Sequence, residues 1–214
     1  TDVPINVRLK TRFNEPLSSL ELGNVVLSDS VGNPVPTNVS LSADRTIISI
    51  VPKMILTPES VYRLTVDEVT DLSGNALVDA VIINFTTGRN ADFVVGNLIN
   101  RSIDSNTTNV PRNAKLIATL SERIDPTTVQ LNTNSLRLYD TVSGRNVAAS
   151  FTLSDDGKTL ELVPNELLDA NRTYDWYMGY SPYIYDLAGN FVALNQLYSR
   201  FTTGDDVDST EPAL

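Results

Sequence analysis

Apolar side chains alternate with polar ones in short runs along this chain. In "INVRLKTRF" (5–13) Ile5, Val7, Leu9, Thr11 and Phe13 fall on one face, and "AKLIATL" (114–120) repeats the pattern. "TIISIV" (46–51), "VYRLTV" (61–66), "VIINFTT" (81–87), "FVVGNLINRSI" (93–103) and "TLELV" (159–163) are equally short and rich in β-branched residues or leucine. A period of two over about five residues is the signal of a strand with one face buried. Gly, Asn, Asp and Ser punctuate the runs at "SVGNP" (30–34), "SADR" (42–45), "DDGK" (155–158), "LSGN" (72–75) and "LAGN" (187–190), residues that suit tight turns. Helical turns are expected only near "SSLEL" (18–22) and "DPTTVQL" (125–131). The pattern predicts an all-β protein built as Greek-key β-sandwiches of immunoglobulin-like type.

The chain is written twice. Phe85-Thr86-Thr87-Gly88 returns as Phe201-Thr202-Thr203-Gly204. "VSLSADRTIISIVP" (39–52) lies over "FTLSDDGKTLELVP" (151–164) without a gap, "DLSGN" (71–75) over "DLAGN" (186–190), Tyr62 over Tyr174, and Val3-Pro4 over Val110-Pro111. Glu15 of "RFNEPL" (12–17) meets Glu122 of "TLSERI" (119–124). Order kept over both halves defines one domain type in tandem. The division expected is a first domain at 1–88, a linker at 89–93, a second domain at 94–204, and a tail at 205–214 that reads as the start of a third repeat. The first domain has no counterpart of the strand-like stretch 93–103. It is therefore expected to lack its opening strand and to expose a sheet edge, a pairing hazard.

These matches carry a resemblance. "NVPRNAKL", "SERIDPTTV", "LSDDGKTLELVP", "DLAGN" and "FTTG" in the second half resemble the bacterial Ig-like domain family called Big_5, or SbsD-like. The first half departs at "NEPLSSL" and at "ADRT", where Gly is missing. The resemblance implies an extracellular or cell-surface bacterial setting, tandem copies in large surface-layer, adhesin-like or secreted proteins, neighbouring repeats as partners, and no shared catalytic residues.

Composition narrows the chemistry. With no His and no Cys, Ser-His-Asp and Cys-His catalysis, disulfides and thiolate metal sites are excluded. A net charge of −10 shows no basic face for nucleic acid, and no run of about 18 apolar residues suggests membrane insertion. Sequons at Asn38, Asn84, Asn100, Asn106 and Asn171 are read as coincidence in an Asn-, Ser- and Thr-rich chain. The carboxylates Glu15, Glu122, Asp67 and Glu68 lie in no motif that pairs them for glycoside hydrolysis.

Two candidate sites remain. "DEVTDLSGNALVD" (67–79) gathers Asp67, Glu68, Asp71, Asn75 and Asp79, oxygen ligands of the kind calcium takes; Asp92 and Asp104 near the junction are further candidates. Against this, Asp71 and Asp186 each open a turn, where a carboxylate bonds to backbone, and the second copy lacks the acidic flank. "YDWYMGYSPYIYD" (174–186) holds Trp176, Tyr180, Tyr183 and Tyr185 with Tyr174 and Tyr177, a platform for a glycan or a cell-surface protein. Tyr174 and Trp176 share a strand face, which fits core packing, whereas Tyr180, Tyr183 and Tyr185 flank Pro182 in an expected loop. The reading that follows is a non-catalytic spacer holding distal parts away from the cell, its function resting on sandwich stability and a stiff 89–93 junction. A binding module using the aromatic stretch is the alternative.

Overall fold

The computed structural model describes residues 2–18, 24–193 and 198–210. Its contacts divide into two units, Thr1–Val94 and Val95–Asp186 with Asn190–Leu214, while Leu187–Gly189 group with the first.

The first unit contains β1 (Leu9–Arg12), β2 (Val25–Asp29), β3 (Thr37–Leu41), β4 (Ile47–Pro52), β5 (Val61–Val66) and β6 (Val81–Thr86). They form two antiparallel sheets ordered β1-β4-β3 and β2-β5-β6. The second unit repeats this plan and adds to it. Its strands are β7 (Gly96–Arg101), β8 (Thr107–Val110), β9 (Leu116–Leu120), β10 (Leu136–Asp140), β11 (Arg145–Asn146), β12 (Ala149–Leu153), β13 (Thr159–Pro164), β14 (Thr173–Met178), β15 (Val192–Ala193) and β16 (Tyr198–Thr203). The sheets run β12-β13-β9-β7-β15 and β11-β10-β14-β16-β8. β7 pairs with β9, the equivalent of β1. Among the described residues the first unit has no strand in that place.

Alternation decides which face is buried. Leu116, Ala118 and Leu120 of β9 and Leu160 and Leu162 of β13 meet Leu136, Leu138, Trp176, Met178 and Phe201 of the facing sheet in one core. Val25, Leu27, Ile48, Ile50, Leu64 and Val66 form the matching core of the first unit. Each unit therefore carries its own apolar interior, as expected of separate domains.

The stretch 5–13 is strand only from Leu9. Ile5 and Val7 are still buried, but Ile5 and Asn6 form a turn that Val7 N closes by donating to Pro4 O at 3.1 Å. The expected turn at 125–131 is a 3-10 turn, Pro126–Thr128, capped by the Asp125 carboxylate, which accepts from Thr127 N. Of 18–22, residues 19–22 lie outside the described residues. The missing Gly in "ADRT" does not change the turn: Arg45 takes φ +61° where Gly157 takes +69°. Arg45 also donates from its guanidinium to the Leu17 and Ser18 carbonyls.

Candidate functional site

The repeated phrases form the closures of the two sandwiches. Tyr62 Oη accepts a hydrogen bond from Thr57 N five residues upstream, and Tyr174 Oη does the same for Asp169 N, both at 2.9 Å. This is the tyrosine corner of immunoglobulin sandwiches. Phe85 stacks on Tyr62 and Phe201 on Tyr174, each at 5.8 Å. The second Thr of "FTTG" locks the corner. Thr87 Oγ1 accepts from Ser60 N and donates to Thr57 O; Thr203 Oγ1 accepts from Arg172 N and donates to Asp169 O. The Gly that follows lets the chain pass a neighbour closely: a Cβ on Gly204 would lie 3.3 Å from Asn109 Cα, and one on Gly88 would meet the Asp2 carboxylate.

A second repeated device joins the segment entering each unit to the segment leaving it. Val3 bridges Thr87 in parallel, and β8 pairs in parallel with β16, Thr107 opposite Phe201 and Val110 opposite Thr203. Beyond that pairing an Asn forms a clip. Asn6 Nδ2 donates to Asp92 O at 2.7 Å and Asn6 Oδ1 accepts from Asp92 N at 2.9 Å. Asn113 makes the same two bonds with Asp208, at 2.8 and 3.0 Å. Ile5 N and Arg112 N add backbone bonds to Asn90 O and Asp206 O. Residues 90–92, expected to be linker, are thus hydrogen-bonded into the first unit. The alignment of Val3-Pro4 with Val110-Pro111 placed both Asn residues in register, but nothing in the sequence alone names Asp92 and Asp208 as their partners.

The acidic loop is a turn. Asp71 Oδ1 accepts from Ser73 N and Asn75 N, and Oδ2 from Asn75 Nδ2. The Asn75 side chain and backbone hold the Asp71 carboxyl below its ordinary value, against burial, which raises it. Asp186 and Asn190 repeat the arrangement. Asp67 Oδ1 accepts from the next residue, Glu68 N, and Asp79 is exposed. Asp104 pairs with Arg101. Among the described residues no three Asp or Glu side chains come together in a set that could hold a metal. The structure therefore does not gather Asp67, Glu68, Asp71, Asn75 and Asp79 into the expected set: Asp71 and Asn75 bond to each other in the turn, while Asp67 bonds to its own neighbour.

The aromatic stretch divides. Trp176 is 1% exposed in the core, so its expected place in a contact surface is corrected: β14 alternates, and Trp176 shares the inward face with Tyr174. Tyr180, Tyr183 and Tyr185 are exposed, by 43%, 51% and 36%. Ring contacts separate two of them, Tyr180 with Tyr177 and Tyr183 with Phe191. On the outer face of β10, β14 and β16, Arg137, Tyr177 and Tyr198 lie in one cross-strand row and Tyr139, Asp175 and Arg200 in the next. Burial opposes ionisation of Asp175, yet the Arg200 guanidinium at 2.7 Å and the Tyr198 hydroxyl at 2.9 Å hold its carboxyl below the ordinary value. An open groove of about 530 Å³ lies along Asp140, Arg145, Glu166, Asp169 and Arg172. The Arg172 guanidinium keeps Asp140 ionised far below its usual range, so this carboxylate is no proton donor.

The fold and its closures define an immunoglobulin-like tandem. The profile of the bacterial Ig-like domain matches residues 1–87 and again 97–203, and the chain belongs to that family. No curated protein matches the chain. Among solved structures, surface layer protein SbsC domains 1–6 is 9% identical with a TM-score of 0.35, covering 90% of this chain and 24% of that one. The N-terminal part of the bacterial S-layer protein SbsC is 10% identical with a TM-score of 0.35, covering 96% and 43%. E. coli alpha-2-macroglobulin is 13% identical with a TM-score of 0.34, covering 95% and 14%. The chain thus spans about a quarter of the length of the first of these. Among the described residues no helix is long and apolar enough to cross a membrane.

Proposed function

We propose that this chain is a non-catalytic spacer of a bacterial cell-surface or secreted protein, two Ig-like units that carry tension and hold distal parts away from the cell. The observation that carries this reading is the repeated junction of entering and leaving segments. In the second unit β8 and β16 run parallel, and in the first Val3 bridges Thr87 in the same sense, so a pull on the ends of a unit loads these hydrogen bonds along the strand direction together, instead of opening them one by one. The Asn6–Asp92 and Asn113–Asp208 clips extend that junction past the last strand. Segment 89–92 then acts as part of the first unit and not as a free tether.

Single-molecule stretching of the whole chain tests this. Two unfolding events are expected, each releasing roughly 30 nm of chain at about 3.5 Å per residue. Asn113→Ala is expected to lower the force of one event and leave the other unchanged, with little change in the thermal melt. Unfolding at a force too low to detect, or an Asn113→Ala trace identical to wild type, would overturn the reading.

A further inference from the structure

We infer that the outer face of β10 and β14 in the second unit holds a binding site for an acidic saccharide, with Arg137 as its anion anchor and Tyr180 as its stacking surface. This goes beyond the spacer reading and stands whether or not that reading holds.

The first observation is an unmatched cation. Arg200, in the neighbouring row, forms a two-bond pair with Asp175. Arg137 has no carboxylate in an ion pair among the described residues, and its Nε is buried without an acceptor. Instead its guanidinium lies 4.3 Å from the Tyr177 ring centre and 5.1 Å from that of Tyr139. Stacking of this kind fixes the plane of the fork and leaves its charge unneutralised. With Nε closed to solvent, a fork so held is preorganised to meet a carboxylate end-on, through two parallel N–H···O bonds from its terminal nitrogens.

The second observation is the surface beside it. Tyr180 stands edge-on to Tyr177, with ring centres 6.2 Å apart, and is 43% exposed. Its backbone is fixed: Tyr180 N donates to Asn134 O at 3.0 Å, and Gly179 N to Ser135 O at 2.8 Å. The ring is therefore held beside the start of β10. Aromatic rings take the C–H faces of sugars, and a few placed polar groups give such sites their orientation. A carboxylate on a sugar ring is the ligand that uses both features at once.

The third observation is that the fold does not require this row. In the first unit the residues in register with Arg137, Tyr177 and Tyr198 are Val26, Thr65 and Ile82, by the pairing of β2, β5 and β6. That sheet closes without aromatic or cationic side chains there.

The test is isothermal titration of the whole chain with oligogalacturonate, and with the same oligomer fully methyl-esterified. Saturable binding of the acid form is expected, weakening as salt is raised. The ester, and the acid form with Arg137→Gln, should each bind at least about tenfold more weakly, the loss of one charge-assisted fork. Tyr180→Ala, a loop change that leaves the sheet intact, should weaken acid and ester alike. Arg137→Gln must keep the wild-type melt for the comparison to stand; if it does not, Arg137→Lys replaces it, with weakened binding still expected because the planar fork is gone. No saturable heat with the acid form, or equal binding by the Arg137 variant, would overturn the site. Equal binding of poly-glutamate would overturn the saccharide assignment.

Discussion

The Thr203→Val substitution tests the account of the repeated "FTTG" most directly. Thr203 is 1% exposed, and valine keeps its shape, so the change removes two hydrogen bonds without leaving a cavity. Arg172 N loses its acceptor at 2.9 Å and Asp169 O its donor at 2.6 Å. A buried polar group left without a partner costs about 1–3 kcal/mol; Arg172 is half-buried and Asp169 exposed, so water meets part of the loss and the second unit should lose about 1–2 kcal/mol. For a unit of about 100 residues that is a fall of roughly 5–10 °C in melting temperature. Trp176 lies in the same core, so its fluorescence during urea unfolding reports this unit. The midpoint should fall with the slope unchanged. Thr202→Val is the control, since Thr202 Oγ1 shares only a 3.1 Å contact with Thr173 Oγ1 and should cost less than about 1 kcal/mol. Thr87→Val should leave the Trp176 midpoint in place while lowering the other calorimetric transition. If Thr203→Val unfolds at the same urea concentration as Thr202→Val, the hydroxyl does not close the corner.

Asp140 is held ionised in the folded state far below its unfolded value by Arg172. Its contribution is full above about pH 4, the unfolded carboxylate range, and fades as pH falls further; Asp140→Asn should flatten the second unit's stability profile between about pH 4 and 2, measured by Trp176 fluorescence. Gly157→Ala should destabilise the second unit by about 1–2 kcal/mol in the same assay, because φ is +69° and the new Cβ would sit 2.6 Å from Arg123 Cγ. Thermal melts in chelator and in calcium chloride should superimpose, since no three carboxylates come together among the described residues; a rise of several degrees with calcium would show a cation site that this loop can form.

The sandwich was legible in the sequence because its physics is local. Strands β4, β5, β6, β9 and β13 fall where period-two runs stand, and "DLSGN" and "DLAGN" close turns because Asp, Gly and Asn each supply what the turn needs in five residues. What remained hidden depends on partners far along the chain. The Asn6 clip joins residues 86 apart in sequence and the Asn113 clip residues 95 apart, and neither Asp is marked by its neighbours. Trp176 shows the same limit from the other side: alternation placed it with Tyr174, while its crowd of tyrosines pointed outward, and only the facing sheet decides between them. Arg137 is not legible in the sequence, because an isolated Arg in a strand carries no motif. Its meaning lies across the sheet, in Tyr177 opposite and Asp175 one row away, already paired with Arg200. The repeat adds a comparison no single copy offers. Where the two units agree, at the Tyr corner, the Thr hydroxyl and the Asn clip, the fold itself demands the residues. Where they differ, as Val26 differs from Arg137, the fold is indifferent, and that is where a property special to the second unit must reside.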